Sequence, residues 1–247
     1  MGCSFSEQER ERVYSRANLE RTIATIRKAD ADIIGICEIL DGQEDGFREK
    51  LRKLGYDYIF FGDGHETKYN KLRIKVAIAS KIECMKKEIK GFPHFDEFGG
   101  GGGFLYCYVP KLKTDVFCLH FAIQKIFDKV FCLSKSVAEV GPDLQINKKK
   151  ELIDKQIEFL FRNLNKNRKT IILGDFNMPC QKLIKEHPEF SSLNLVSNEM
   201  KNCSLTPVLK WFHYRDDDHI FVSGLKARKI GALDGYSDHK LIYADLE

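Results

Sequence analysis

Apolar runs alternate with amphipathic segments along the chain, and this alternation predicts a mixed α/β protein. Apolar residues at helical spacing predict three helices, Ala17–Ala29, Gln43–Leu54 and Lys149–Leu164. Short apolar or alternating runs predict eight strands, which are Ala31–Ile39, Tyr56–Phe61, Arg73–Ser80, Phe104–Val109, Asp115–Phe121, Ile171–Leu173, His219–Ser223 and Lys240–Leu246. The strand Ala31–Ile39 is apolar on both faces, so we expect it to lie inside a sheet.

The segments between these elements are polar or mixed in character. Gly62–Lys71 is a polar loop, and the five glycines of Gly99–Gly103 favour a mobile loop over a phosphate cradle. Ala122–Asn147 is long for a connection and partly apolar, and its composition fits either an extra helix or a lid. Gln181–Ser204 fits a loop with short helical turns. No repeat or linker divides the chain, so we expect one domain over residues 1–247.

Acidic and histidine side chains stand at the ends of five predicted strands. They are Glu38, His120, Asp175, Asp218 and His239. Any one of them alone would be an ordinary solvent-exposed residue. Five such strand ends in one chain predict that these side chains meet in a single site.

The sequence Gly174-Asp175-Phe176-Asn177 follows the apolar run Ile171–Leu173. In extended backbone, Asp175 and Asn177 would point to the same face and present a carboxylate beside an amide. Such a pair suits a phosphate or a hydrated cation. The alternative is a turn in which an Asp or Asn side chain binds the backbone after a strand. The stretch alone leaves both interpretations open.

Composition limits the class of protein without naming a substrate. The chain is 43% hydrophobic and 31% charged, which is enough for a core and typical of a soluble protein, and its net charge of +4 permits a polyanionic substrate without requiring one. Its eight cysteines include no Cys-x-x-Cys pair, so we predict free thiols in a reducing, cytoplasmic compartment. No apolar run reaches the ~18 residues of a membrane span.

The strand-end motifs, taken together and in order, resemble the endonuclease/exonuclease/phosphatase superfamily, which has the DNase I-like fold. The matching segments are Asp32–Glu38, Cys118–Phe121, Gly174–Asn177, Asp218–Ser223 and Ser237–His239. The resemblance implies a four-layer α/β (α+β) sandwich, in which two packed mixed sheets are flanked by helices. It also implies hydrolysis of phosphoester bonds with Mg²⁺ or Mn²⁺.

The resemblance assigns a metal-binding role to two carboxylates. These are Glu38 and Asp238, and oxygen ligands of this kind suit hard divalent cations. It also implies that His239 acts at the scissile phosphate while paired with Asp218. A carboxylate on one ring nitrogen fixes the tautomer of such a histidine and supports its charged form.

Three further residues receive catalytic roles from the same resemblance. Asp175 would handle a proton on the attacking water or the leaving group. Asn177 would steady phosphate oxygens, and His120 would neutralise charge that develops on the phosphoryl group. His219 has no role that the resemblance supplies.

The beginning of the chain departs from the family pattern. The family has a first strand with a metal-binding asparagine, whereas the first asparagine here is Asn18, inside a predicted helix. Two interpretations remain open: Cys3–Ser6 is a degenerate first strand with Ser6 in the asparagine's place, or a proper first strand is missing. In the second case the sheet edge beside Ala31–Ile39 would be open.

The predicted activity is hydrolysis of a phosphodiester or phosphomonoester, with nucleic acid as the leading substrate class. Sphingomyelin-like lipids and inositol phosphates are the alternative substrates. A catalytically weak nucleic-acid-binding module is the alternative from another class, because the metal-binding asparagine is not found.

Overall fold

The computed structural model describes residues 16–62, 65–66, 73–93, 103–121, 142–196, 217–234, 239 and 241–247. The helices in these ranges are α1 Arg16–Ala29, α2 Glu44–Arg52, α3 Pro142–Asn163 and α4 Cys180–Glu186. The strands are β1 Ile33–Leu40, β2 Tyr58–Phe61, β3 His65–Glu66, β4 Arg73–Ser80, β5 Met85–Lys87, β6 Gly103–Val109, β7 Thr114–His120, β8 Lys169–Asp175, β9 Asn194–Leu195, β10 Asp218–Ser223, β11 Ala227–Leu233 and β12 Leu241–Leu246. Short 3-10 turns cover Pro110–Leu112 and Pro188–Ser192.

The strands form two larger sheets and one hairpin. The six-stranded sheet has the order β5-β6-β7-β8-β10-β9, and the four-stranded sheet has the order β1-β4-β2 with β3 beside β4. Strands β11 and β12 form a separate antiparallel hairpin. Among the described strand pairs only β7 and β8 are parallel, which makes the six-stranded sheet mixed.

Three apolar clusters hold the layers together. The cluster between the two sheets includes Ile78, Val116 and Ile220. The cluster under α3 and α4 includes Ile153, Phe176 and Phe221, and it covers the outer face of the six-stranded sheet. A third cluster packs α1 and α2 on the outer face of the four-stranded sheet; its members include Ile23, Leu51 and Ala77. The order of layers is helix, sheet, sheet, helix, so the predicted sandwich is confirmed.

Several elements differ from the prediction. Strand β5 is exposed along its length and includes two lysines, and it is placed by backbone pairing with β6. Strand β11 is likewise exposed over its first four residues and pairs with β12. Helix α3 begins at Pro142, ahead of the predicted Lys149, so it takes in the end of the segment Ala122–Asn147. The rest of that segment lies outside the described residues.

Strand β1 occupies an edge position within the described ranges. It pairs there only with β4, in an antiparallel register from Ile33 opposite Ser80 to Leu40 opposite Ile74. The expected interior position is therefore not found among these residues. Residues 1–15, to which the prediction for the first strand applies, lie outside the described part, and that prediction stays a prediction. Among the described helices, none has the length and apolar character needed to cross a membrane.

Candidate active site

Strand register brings three of the predicted site residues into one row. His120 at the end of β7 lies opposite Asp175 at the end of β8, and Asp175 lies opposite Asp218 at the start of β10. All three side chains are therefore at the same end of the six-stranded sheet. Glu38 reaches this end from β1 in the other sheet, with its Oε1 3.8 Å from His120 Nε2. The predicted meeting of strand ends is found for these four residues.

Asp218 and His239 form a short contact at the rim of the site. His239 Nδ1 lies 2.5 Å from Asp218 Oδ2, and the two side chains are 32% and 16% exposed. Asp218 faces the space between the sheets, together with Ile220 and Val222, because alternate residues of a strand share a face. The carboxylate fixes the tautomer and orientation of the imidazole, so that Nε2 can be presented to a ligand.

Asp175 is buried beside this pair. Burial raises the pKa of its carboxyl group well above the usual value, and the negative charge of Asp218 adds to the effect. One carboxylate oxygen, Oδ1, accepts the backbone N–H of Asn177 at 2.7 Å. The other, Oδ2, lies 3.7 Å from His120 Nε2. Asp175 is thus a carboxyl group that retains a proton more readily than an exposed aspartate.

His120 is 5% exposed, and its Nε2 has no hydrogen-bond partner among the described residues. Burial lowers the pKa of the imidazole below 6.5, and the charge of Glu38 only partly opposes this effect. A buried polar nitrogen without a partner is costly, and in native proteins it usually marks a place where a ligand or water binds. Its position between Glu38 and Asp175 directs it into the site.

Asn177 lies in a turn and not in extended backbone. Its φ of +51° ends the strand geometry, and its N–H caps the Asp175 carboxylate, as in the alternative interpretation of this stretch. The side-chain amide donates to the carbonyl oxygen of Phe121 at 2.8 Å, which ties the turn to the end of β7. Asp175 and Asn177 are therefore neighbours through a turn, and the predicted sharing of one strand face is wrong.

Glu38 owes its position to an irregularity in β1. The register with β4 shifts between Ile36 and Ile39, and Glu38 has a φ of +60°. A side chain with this backbone conformation is uncommon and is turned out of the normal strand alternation. The Glu38 side chain is 60% exposed at the site.

The layer directly below the site contains Cys37, Leu119 and Gly174, each one residue before a site residue. The Cys37 thiol donates to the Leu119 carbonyl oxygen at 3.5 Å, which connects β1 to β7. The pKa of the Cys37 thiol is raised well above its usual value, mainly by a hydrogen bond with Cys118 and secondly by burial. The sequence predicted Cys37 only as a small buried apolar residue, and its position immediately before Glu38 was the one indication that it lies next to the site.

His219 lies behind the site, on the opposite face of β10 from Asp218. It is fully buried, and its Nε2–H donates to the carbonyl oxygen of Met178 at 2.8 Å. Its ring centroid is 5.2 Å from that of Phe176. The sequence placed His219 next to the site without a function, and the structure connects it to the turn that contains Asn177.

The donor set fits a divalent cation. One ligand atom each from Asp175, Asp218 and His239 lie within 4.8 Å of one another, and the Glu38 carboxylate is nearby. Carboxylate oxygens are the ligands that Mg²⁺ and Mn²⁺ prefer. Asp238, the second predicted metal ligand, lies outside the described residues. The cluster in the structure thus consists of residues predicted to be catalytic.

Comparison with known proteins places this geometry in a family. The sequence profile of the Endonuclease/Exonuclease/phosphatase family matches residues 7–239. No match was found among curated protein sequences.

Solved structures with the same fold cover nearly all of the chain. An endonuclease/exonuclease/phosphatase from Beutenbergia cavernae DSM 12333 aligns with a TM-score of 0.65 and 14% identity, over 94% of this chain and 66% of that one. TDP2 of D. rerio, complexed with a single strand DNA product, aligns with a TM-score of 0.62 and 13% identity, over 94% of each chain. An AP endonuclease from Archaeoglobus fulgidus gives a TM-score of 0.63 and 16% identity, over 94% of this chain and 95% of that one. With the family profile matching most of its length, the chain belongs to the Endonuclease/Exonuclease/phosphatase family.

Proposed function

We propose that this protein is a divalent-metal-dependent phosphoesterase that hydrolyses phosphodiester bonds in nucleic acid. The observation that supports this proposal most is the 2.5 Å contact of His239 with Asp218 beside the buried carboxyl group of Asp175. A hydrolase needs a group that holds the phosphoryl oxygens, a group that moves a proton and a means of stabilising charge. Neighbouring side chains in this site can supply all three.

The Asp218–His239 pair would bind the phosphoryl group. The carboxylate of Asp218 holds His239 through Nδ1, and Nε2 would contact the phosphoryl group. Asp218 also favours the protonated imidazole, which is the form that best compensates negative charge on phosphate. Loss of Asp218 would therefore affect both the orientation and the charge of His239.

Asp175 would act as the acid for the leaving oxygen. Its raised pKa favours the protonated form more than in an exposed aspartate, and the Asn177 N–H holds the carboxyl group in place through Oδ1. His120 would donate from Nε2 to a phosphoryl oxygen. Because burial lowers the pKa of His120, we assign it a hydrogen bond from neutral imidazole. Asn177 would stabilise the same oxygens and hold the turn to Phe121.

Glu38 is the described residue that would hold the metal ion, and the cluster of Asp175, Asp218 and His239 lies beside it. Asp238 remains a proposed ligand. A bound Mg²⁺ or Mn²⁺ would compensate phosphate charge and lower the pKa of a bound water. The partly exposed Glu38 side chain is suited to such an ion, since Mg²⁺ keeps several waters when it binds proteins.

Nucleic acid is the proposed substrate class. The D. rerio TDP2 structure of the same fold contains a single strand DNA product, and another solved structure with this fold is an AP endonuclease. The net charge of +4 is compatible with a polyanion. A reducing cytoplasm as the location fits the free thiols of the described cysteines, Cys37, Cys84, Cys107, Cys118 and Cys180.

The decisive experiment measures product release from four substrates in parallel, with Mg²⁺, with Mn²⁺ and with EDTA. The substrates are single-stranded DNA, RNA, sphingomyelin and an inositol phosphate. We expect products from nucleic acid that disappear with EDTA. Turnover of the lipid or the inositol phosphate alone would overturn the nucleic-acid assignment, and absence of product from all four would overturn the enzyme assignment.

A matched pair of variants distinguishes the site from the rest of the fold. Asp218→Asn removes the carboxylate partner of His239, whereas Asp154→Asn removes the carboxylate that lies 3.7 Å from His187 elsewhere in the molecule. We expect the first to lose activity by roughly 10²-fold or more and the second to retain it. Equal activity in both variants would contradict the proposed role of the Asp218–His239 pair.

A further inference from the structure

The turn that follows β8 is held on its site side by two side chains. Asp175 accepts the Asn177 N–H at 2.7 Å, and the Asn177 amide donates to the Phe121 carbonyl oxygen at 2.8 Å. Two backbone contacts fix its beginning, because Phe176 N–H donates to Asp217 O and Phe121 N–H donates to Asp175 O, both at 2.8 Å. These contacts fix the turn up to Asn177.

The far side of the same turn is held by His219. Its Nε2–H donates to the Met178 carbonyl oxygen at 2.8 Å, one residue beyond Asn177. His219 is 0% exposed and Met178 is 1% exposed, so bulk water cannot replace this donor. The imidazole also packs on Phe176 and Phe221, with ring centroids 5.2 and 5.9 Å away, which leaves it little freedom to move.

His219 directly follows Asp218 on β10. Its contact with Met178 is therefore connected to the row formed by His120, Asp175 and Asp218. Asp218 and His219 are consecutive, and they project to opposite faces of the strand. Asp218 holds His239 on the site side, while His219 holds the Met178 carbonyl group on the helix side. One dipeptide therefore sets the positions of two separate parts of the site.

We propose that His219 is a positioning residue for Asn177, acting through its hydrogen bond to the Met178 carbonyl oxygen. Asn177 has a φ of +51°, a left-handed conformation that asparagine tolerates better than most residues other than glycine. The hydrogen bond from His219 holds the Met178 carbonyl group on the helix side of the sheet. It therefore keeps the turn closed and the Asn177 amide at the site. The expected effect on kcat rests on the proposed phosphoesterase activity, whereas the role of His219 in the geometry of the turn does not.

Two substitutions at His219 separate the hydrogen bond from ring packing. His219→Phe keeps a ring against Phe176 and Phe221 and removes the donor. His219→Gln removes the ring and places an amide N–H at a distance along the side chain similar to that of Nε2. If the ring is what matters, the Phe variant will be the more active of the two. If positioning matters, the Gln variant will be the more active.

The kinetic test is a double-mutant cycle with Asn177→Ala, assayed on single-stranded DNA with Mg²⁺. We expect His219→Phe to lower kcat about 10-fold or more with less than about a 3-fold change in KM, and His219→Gln to restore most of the loss. In the Asn177→Ala background, His219→Phe should lower kcat by less than about 3-fold, because the side chain through which His219 acts has been removed. Additive losses, or a Phe variant more active than the Gln variant, would overturn the proposal.

Amide hydrogen exchange at Phe176 and Asn177 provides a readout that needs no turnover. We expect exchange to be about 10-fold or more faster in His219→Phe and close to the wild-type rate in His219→Gln. His187→Phe, which removes a buried histidine outside the site, serves as the control and should change neither exchange at the turn nor kcat. Unchanged exchange in His219→Phe would refute the inference even if the wild-type protein cleaves DNA. Wild-type protein that cleaves nothing while the turn loosens as expected would refute the proposed function alone.

Discussion

At Gly174 both the fold and the candidate site leave little room for a side chain. It precedes Asp175, has a φ of +141°, and lies opposite Leu119 in the parallel pairing of β7 with β8. A Cβ atom at this position would lie 1.9 Å from the Leu119 carbonyl oxygen, and 2.9 and 3.0 Å from the Leu119 carbonyl carbon and amide nitrogen. The Gly174→Ala variant must therefore resolve a backbone conflict as well as an unfavourable dihedral angle.

The expected loss of stability in Gly174→Ala follows from the backbone clash and the unfavourable dihedral angle. To bring the 1.9 Å contact to 3.0 Å, the ends of β7 and β8 must separate by about 1 Å. An L-residue in this backbone region costs ~1–3 kcal/mol, and each weakened buried hydrogen bond costs ~1 kcal/mol or more. We expect a loss of roughly 3–6 kcal/mol, which is a large fraction of the ~5–15 kcal/mol stability of a typical domain.

The same displacement should reduce activity in the fraction that still folds. His120 and Asp175 come directly after the two separated residues, so their distance would change by a similar amount. A misplacement of ~1 Å can reduce catalysis ~10²-fold. Urea denaturation followed by circular dichroism measures the stability, and cleavage of a labelled oligonucleotide per mole of folded protein measures the activity.

Two other glycines provide matched controls for Gly174→Ala. Gly42 has a φ of +88° with no atom within 4 Å of its added Cβ, so Gly42→Ala tests the dihedral angle alone and should cost ~1–2 kcal/mol with full activity. Gly35→Ala tests a clash without a positive φ, because its Cβ would meet the Leu173 and Cys118 side chains at 1.9 and 2.9 Å. If Gly174→Ala were no more harmful than Gly42→Ala, the close approach to Leu119 would not be a constraint and this reasoning would be wrong.

Three further predictions concern the site itself. His239→Ala and Asp218→Asn should each lower kcat by roughly 10²-fold or more while the protein stays folded, and near-normal turnover of either variant would remove the pair from the mechanism. Glu38→Gln keeps the shape of the side chain but loses the ligand charge, so activity should collapse at low Mg²⁺ and partly recover at high Mg²⁺; a variant with the metal dependence of the wild type would exclude Glu38 as a ligand. Burial lowers the pKa of His120, so the unfolded state binds this proton more readily and the contribution of His120 to folding stability should fall as the pH drops through about 6.5. The raised pKa of Asp175 acts in the opposite direction, so the test compares two proteins: between about pH 7.5 and pH 5.5, urea unfolding with EDTA should show a less favourable change in stability for the wild type than for His120→Asn, and equal changes would contradict it.

The sequence predicted β7 and β8 because both contain a buried apolar run. Val116–Leu119 and Ile171–Leu173 are continuously apolar and precede His120 and the Gly174-Asp175 pair, and burial of these side chains determines the two strands. Four strands were not predicted: β3 and β9 have only two residues each, and β5 and β11 are exposed and contain lysines. Their conformation comes from backbone pairing with a neighbour, which leaves little hydrophobic pattern to detect.

The contacts within the site were harder to predict than its composition. Hydrophobic runs indicated which residues end strands, but they could not show that Asn177 leaves the extended conformation at a φ of +51°. They also could not show that Cys37 would donate to Leu119 or that His219 would donate to Met178, since both contacts join distant parts of the chain. Such contacts depend on strand register and sheet packing, which are set by the whole fold.

The parallel pairing of β7 with β8 has a consequence for how the protein folds. His120 and Asp175 are opposite each other, yet the chain between them includes helix α3 and must cross from one end of the sheet to the other. Closing such a long connection costs conformational entropy before any contact is gained, so parallel pairs of distant strands form slowly. The hairpin of β6 and β7 can form earlier, because only the short turn Pro110–Leu112 joins its strands. His120 and Asp175 would then come together only after this pairing has formed, when the β6–β7 hairpin is already in place.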